Sequence, residues 1–127
     1  MENKILIIDP SEHFVELVNR RLSAYGYTNY SSQRTAQEGL RQVMLEKPDL
    51  VIVATKLADA DGFDTCKHIK DWAGDTIKVI LLASMAEPNN SARAQIAGAD
   101  EYVAKTLDCL PLITAIKKLL SPMAVSQ

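Results

Sequence analysis

The chain has 127 residues, of which 47 % are hydrophobic and 24 % charged, with a formal net charge of −2. That is one domain's worth of sequence, long enough to bury about two-thirds of its unfolded surface without a disulfide or metal staple. No basic excess points to nucleic acid, Cys66 and Cys109 are too far apart for a CxxC site, and no apolar run approaches the ~20 residues of a membrane span.

The first residues, Met1-Glu2-Asn3-Lys4, lack the long apolar segment of a signal peptide, so a cytoplasmic location is expected. Ile5 to Ile8 is a solid aliphatic run that breaks at Asp9-Pro10; such runs suit strands buried on both faces of a parallel sheet. Phe14, Leu17, Val18, Leu22 and Tyr25 then recur at helical spacing, and Gly26 offers a stop. Residues 28–32 read as a shorter, more polar outer strand. Thr35 and Glu38 make a capping-box signal ahead of a second helix lined by Ala36, Leu40, Val43 and Met44, with Pro48 beyond its end.

Leu50 to Ala54 is the next solid run. Asp61-Gly62 reads as turn chemistry, and Phe63, Cys66, Ile69 and Ala73 line a third helix closed by Gly74. Residues 77–82 form another apolar run, followed by a short alanine-rich helix over 90–97 that Gly98 stops. Residues 101–104 read as a second outer strand. Leu112, Ile116, Leu119 and Leu120 line the last helix, which ends before Pro122.

Strand and helix thus alternate five times. This order predicts an α/β domain with a parallel sheet, right-handed crossovers and helices on both faces. The domain is expected over residues 1–121, with 122–127 as a short C-terminal tail. In open α/β sheets, ligands gather at the carboxyl ends of the strands. Those ends carry Asp9-Pro10, Ala54-Thr55, Ala83-Ser84 and Lys105-Thr106.

Four segments in order resemble the receiver domain of bacterial response regulators: Lys4-Ile5-Leu6-Ile7-Ile8-Asp9, Lys47-Pro48-Asp49-Leu50, Asp61-Gly62-Phe63, and Ala97-Gly98-Ala99-Asp100-Glu101-Tyr102-Val103-Ala104-Lys105. The resemblance covers nearly the whole chain. It implies a flavodoxin-like (βα)5 fold with strand order 2-1-3-4-5 and a role in two-component or phosphorelay signalling. It further implies an acidic pair after the first strand, an acceptor aspartate after the third, a hydroxyl residue after the fourth and a lysine after the fifth. The carboxylates hold Mg²⁺ and the acceptor attacks a phosphohistidine.

Only part of that set is present. Asp9 matches the first acid and Lys105 the lysine, but Pro10, Ala54 and Ala83 stand where the second acid, the acceptor and the hydroxyl residue belong. Ser84 is adjacent to Ala83, yet neighbouring strand residues point to opposite faces unless the strand has already ended. Asp9 and Lys105 are expected to form an ion pair, and Mg²⁺ binding is expected to be weak or absent. Thr106 replaces the proline that usually follows the family lysine, so the Lys105-Thr106 bond is expected to be trans. Tyr102 occupies the place of the family's switch aromatic, and with Thr106 it marks an interaction face.

The expected function is that of a pseudo-receiver: a phosphorylation-independent protein-interaction module, without an enzyme active site, cofactor, or direct nucleic-acid or membrane contact. Its expected partners are a signalling protein, kinase or output domain; oligomeric state stays open, with a weak dimer among the options. One alternative is a working phosphoacceptor on a non-standard residue such as Asp59; no motif marks Thr55 as a target of a Ser/Thr kinase. A second, a flavin-binding domain, is disfavoured because the segment from Asp9 to His13 lacks a Gly/Ser/Thr-rich phosphate cradle. His13 and His68 are expected at the surface, Trp72 as a partly buried packing residue, and both cysteines as partly buried apolar groups.

Overall fold

A computed structural model describes residues 3–120. The expected tail at 122–127 and the boundary at 121 lie outside the described residues. The elements run β1 (Ile5–Ile8), α1 (Glu12–Ala24), β2 (Tyr30–Gln33), α2 (Ala36–Glu46), β3 (Leu50–Ala54), α3 (Gly62–Ala73), β4 (Lys78–Ala83), α4 (Ser91–Ile96), β5 (Glu101–Ala104) and α5 (Leu110–Leu120), with a 3-10 turn at Gly74–Thr76. All strands are parallel, in the order β2-β1-β3-β4-β5. The flavodoxin-like architecture expected from the sequence is therefore the one observed.

Each central strand sends alternate residues to opposite faces. Ile5, Ile7, Leu50, Ile52, Ile80 and Leu82 join Val15, Val18 and Leu22 of α1 and Leu112, Ile113 and Ile116 of α5 in one core. Leu6, Ile8, Val51, Val53, Val79 and Leu81 meet Val43 of α2, Phe63, Cys66 and Ile69 of α3 and Ala94 of α4 in the other. Burial on both faces explains why β1, β3 and most of β4 are unbroken aliphatic runs. The outer strands β2 and β5 are only half-buried, which matches their polar sequences.

The helix starts follow capping chemistry. Ser11 Oγ accepts from Phe14 N–H at 3.2 Å, Thr35 Oγ1 from Glu38 N–H at 3.2 Å, and Asp61 Oδ1 from Phe63 N–H at 2.7 Å. The stops differ from expectation in one case. α2 ends not through Pro48 alone but through Lys47, which takes the left-handed conformation at φ 50°.

Three elements shift. β2 runs over 30–33 rather than 28–32, β4 over 78–83 rather than 77–82, and α4 over 91–96 rather than 90–97. The first has a visible cause: pairing with β1 sets Tyr30 opposite Ile5, so the strand begins where its partner does. Trp72 is more exposed than expected, at 47 %, whereas Cys66 and Cys109 are fully buried. Among the described residues no helix is long and apolar enough to cross a membrane.

Candidate functional site

The parallel register brings four strand ends to one edge of the sheet. Ile8 pairs with Val53, Ala54 with Leu82, and Ala83 with Ala104. Beyond the strands, Asp9 N–H donates to Gln33 O at 3.0 Å and Lys105 N–H to Ala83 O at 2.7 Å, which extends the ladder by one residue at each place. Asp9, Ala54, Ala83 and Lys105 therefore share this edge.

Asp9 is almost wholly buried, at 1 % exposure. Its Oδ1 accepts from Ser11 N–H at 2.9 Å, and its Oδ2 faces Lys105 Nζ at 3.0 Å. Among the described residues Oδ2 has no directed hydrogen bond, so charge rather than alignment holds this pair. The Lys105 ammonium also lies 5.0 Å from the centre of the Phe14 ring. Ala54 and Ala83 are buried at 3 % and 5 % exposure, and each contributes only a methyl group. Pro10 offers no side-chain ligand.

This donor set does not fit Mg²⁺, which needs several oxygen ligands. Of the edge residues Asp9, Pro10, Ala54, Ala83 and Lys105, Asp9 alone carries a carboxylate, and an ammonium already occupies its Oδ2. Among the described residues no group of three or more His, Cys, Asp or Glu side chains is arranged to hold a metal.

β4 ends at Ala83, so the alternation argument against Ser84 does not apply. Ser84 is exposed, and its Oγ accepts from Ala86 N–H at 3.2 Å within its own turn. Thr106 is likewise committed locally. Its Oγ1 donates to Asp108 Oδ1 at 2.9 Å, and Leu110 N–H donates to the same oxygen at 3.0 Å, which forms the entry to α5. These bonds, led by that from Leu110, hold the Asp108 carboxyl below its usual range. All peptide bonds among the described residues are trans, that between Lys105 and Thr106 included.

Tyr102 is half-buried against the core beneath α3 and α4. Its ring centre lies 6.2 Å from that of Phe63, and its hydroxyl accepts from Asn90 N–H at 3.0 Å. An open recess of about 230 Å³, lined by Ala83, Ser84, Glu87, Asn89, Tyr102 and Ala104, separates the strand ends from this face.

Other candidates do not converge on the edge. Asp59 accepts from the backbone N–H groups of Ala36 and Gln37 at 2.8 and 3.0 Å, capping α2 from a distant loop. Asp61 caps α3 and receives Arg93 at 2.9 Å. His13 and His68 are exposed on α1 and α3. Burial pushes the Cys66 thiol up to about 12, which keeps it protonated at neutral pH.

Sequence reasoning missed three tertiary ties. Glu87 accepts from Thr55 Oγ1 at 2.9 and 3.0 Å through its two oxygens. Arg93 of α4, besides pairing with Asp61, stacks over the Phe63 ring at 4.4 Å. Lys70 of α3 meets Asp100 Oδ2 at 2.9 Å, and Val79 N–H donates to the same oxygen at 2.8 Å. Each joins residues far apart in the chain, and no local spacing announces them.

The response regulator receiver domain model matches residues 5–117. The transcriptional regulatory protein YvrH of Bacillus subtilis is 28 % identical over 118 residues, which span 92 % of this chain and 49 % of that protein. The KDP operon transcriptional regulatory protein KdpE of Escherichia coli is 29 % identical over 101 residues, or 80 % of this chain and 44 % of that one. The chain thus spans about half the length of the curated relatives it matches. Among solved structures, a CheY-like response regulator receiver domain protein from Methanospirillum hungatei superposes with a TM-score of 0.85 at 26 % identity, covering 100 % of both chains. With the sheet order, the edge geometry and a family match over most of its length, the chain belongs to the response regulator receiver domain family of two-component signalling.

Proposed function

We propose that this receiver domain works without phosphoryl transfer, as a protein-interaction module regulated by partner binding rather than by covalent modification. The observation that carries the reading is Ala54. It ends β3 with a buried methyl group, and a methyl group cannot act as a nucleophile. Two further features support it. The neighbouring acid, Asp9, is already paired with Lys105. Asp59 and Asp61, the next carboxylates along the chain, are engaged by helix starts, which disfavours a relocated acceptor.

The face around Tyr102 is the proposed contact surface. Met85, Ile96, Leu107 and Leu110 expose large apolar side chains on α4, at the start of α5 and in the loops beside them. A kinase or an output domain is the proposed partner, in the same protein or in another, and a weak dimer could use the same surface. The proposed setting is the bacterial cytoplasm, with no enzymatic activity.

Intact-mass measurement after incubation with acetyl phosphate and Mg²⁺ tests the reading. The expected spectrum shows no species heavier by one phosphoryl group. A stoichiometric adduct would overturn the proposal and revive an unusual acceptor.

A further inference from the structure

Glu87 lies in the loop between β4 and α4, and its carboxylate reaches back to the end of β3. Thr55, the residue after Ala54, is buried at 4 % exposure and donates its hydroxyl to Oε1 at 2.9 Å or Oε2 at 3.0 Å. Ser84, the residue after Ala83, donates its backbone N–H to Oε2 at 3.2 Å. The turn is closed by Glu87 N–H, which donates to Ser84 O at 3.2 Å. One carboxylate thus ties together the two residues that directly follow Ala54 and Ala83.

The chemistry favours a durable tie. Hydrogen bonds to an ionised acceptor are shorter and stronger than neutral ones. The donor is a buried hydroxyl that would otherwise lose its partner, and an unmet buried donor is costly. Pro88 follows Glu87 directly, and a residue before proline is steered to extended backbone, which narrows the paths open to the loop. At its other end the loop is fixed again, where Asn90 N–H donates to the Tyr102 hydroxyl at 3.0 Å. The loop is therefore clamped at both ends, to β3 by Glu87 and to β5 by Tyr102.

We propose that Glu87 is a built-in latch: its permanent carboxylate fixes the loop between β4 and α4 against the end of β3. The latch thereby sets the geometry of Tyr102 and α4 without any added group. As a replacement for a covalent switch, it rests on the reading that position 54 takes no phosphate. As a structural tie, it stands by itself.

Amide hydrogen exchange on the full 127-residue chain tests it. Glu87→Ala and Thr55→Val should each speed exchange at the amides of Ser84 and Asn90 by about tenfold. At Asn90 the double variant should do little more than the larger single change, because both substitutions remove the bond between Thr55 and Glu87; Ser84, whose own N–H donates to Glu87, should respond further to Glu87→Ala. Thr55→Ser keeps the hydroxyl and should stay near the parent, which separates loss of the donor from loss of packing. Amides of β1 and β2 serve as the folding control; if Thr55→Val disturbs them, Glu87→Ala carries the test alone. Unchanged exchange at Ser84 and Asn90 in Glu87→Ala, or additive effects at Asn90 in the double variant, would overturn the latch. A phosphoryl adduct on the parent protein would instead overturn the reading of position 54 and leave these exchange results standing.

Discussion

Asp59 shows how a single carboxylate near the sheet edge can be spent on structure. Its two oxygens receive the first free N–H groups of α2, from Ala36 and Gln37. Those bonds, led by the one from Ala36, hold its carboxyl below the ordinary aspartate value. The folded-state pKa is lower than the unfolded one, so the stabilisation is fully present above the unfolded value, near pH 4, and is lost as pH falls through the folded value. Asp59→Asn should therefore lower the melting temperature at pH 6 and make progressively less difference toward pH ~2. Thermal melts of both proteins across that range check this, and a constant difference would contradict it. Asp108 is depressed by similar bonds, so the variant should keep part of the acid limb. No local pattern signals this capping role, because Asp59 and Ala36 meet only through the fold. By contrast the residue types at Ala54, Pro10 and Ala83 are plain in the sequence, and the proposed function rests on the functional groups they lack.

At the scale of elements, the junction between β3 and α3 is the tightest part of the edge. A Cβ at Gly62 would run into the Ala54 carbonyl oxygen and lie 2.6 Å from Thr55 Cα. Backbone on one side and backbone on the other leave nothing flexible to yield. Gly62→Ala should cost about 1–3 kcal/mol through this overpacking. Urea denaturation should show a lower midpoint with an unchanged slope; an unchanged midpoint would mean that the helix start can move aside. Asp61-Gly62 reads as turn chemistry in the sequence, which captures the residue types but not the close approach. The buried strands were legible because aliphatic runs have few other uses in a chain of this size. The ends of β2 and β4 were not, because hydrogen-bond register with neighbours fixes them. Lys47 is a similar case: nothing in a lysine side chain foretells a positive φ.

For the whole molecule, the proposed function rests on the edge as a set rather than on position 54 alone. Ala54→Asp would place a carboxylate in a buried position near Asp9, with no second acid at Pro10 and no hydroxyl at Ala83. Such a carboxylate lacks the ligand partners that a Mg²⁺ site requires. The variant incubated with acetyl phosphate and Mg²⁺ should show no stoichiometric phosphoryl adduct by intact mass. Robust Mg²⁺-dependent labelling would mean that the rest of the edge is still competent. The fold and the composition of the edge could be read from sequence because both depend on residue order and type. The Glu87, Arg93 and Lys70 ties could not, because each depends on where a long side chain ends in space.

The mooring of α4 by Arg93 has a mechanical consequence. A helix of six residues is too short to hold its own shape in water. One guanidinium pins it to the Asp61 carboxylate at 2.9 Å and to the Phe63 ring at 4.4 Å, both at the root of α3. A protein that grips α4 therefore pulls on a tether whose other end sits beside β3. Load applied at the outer surface reaches the sheet edge along that tether, alongside the Glu87 tie and the packing of Ala94.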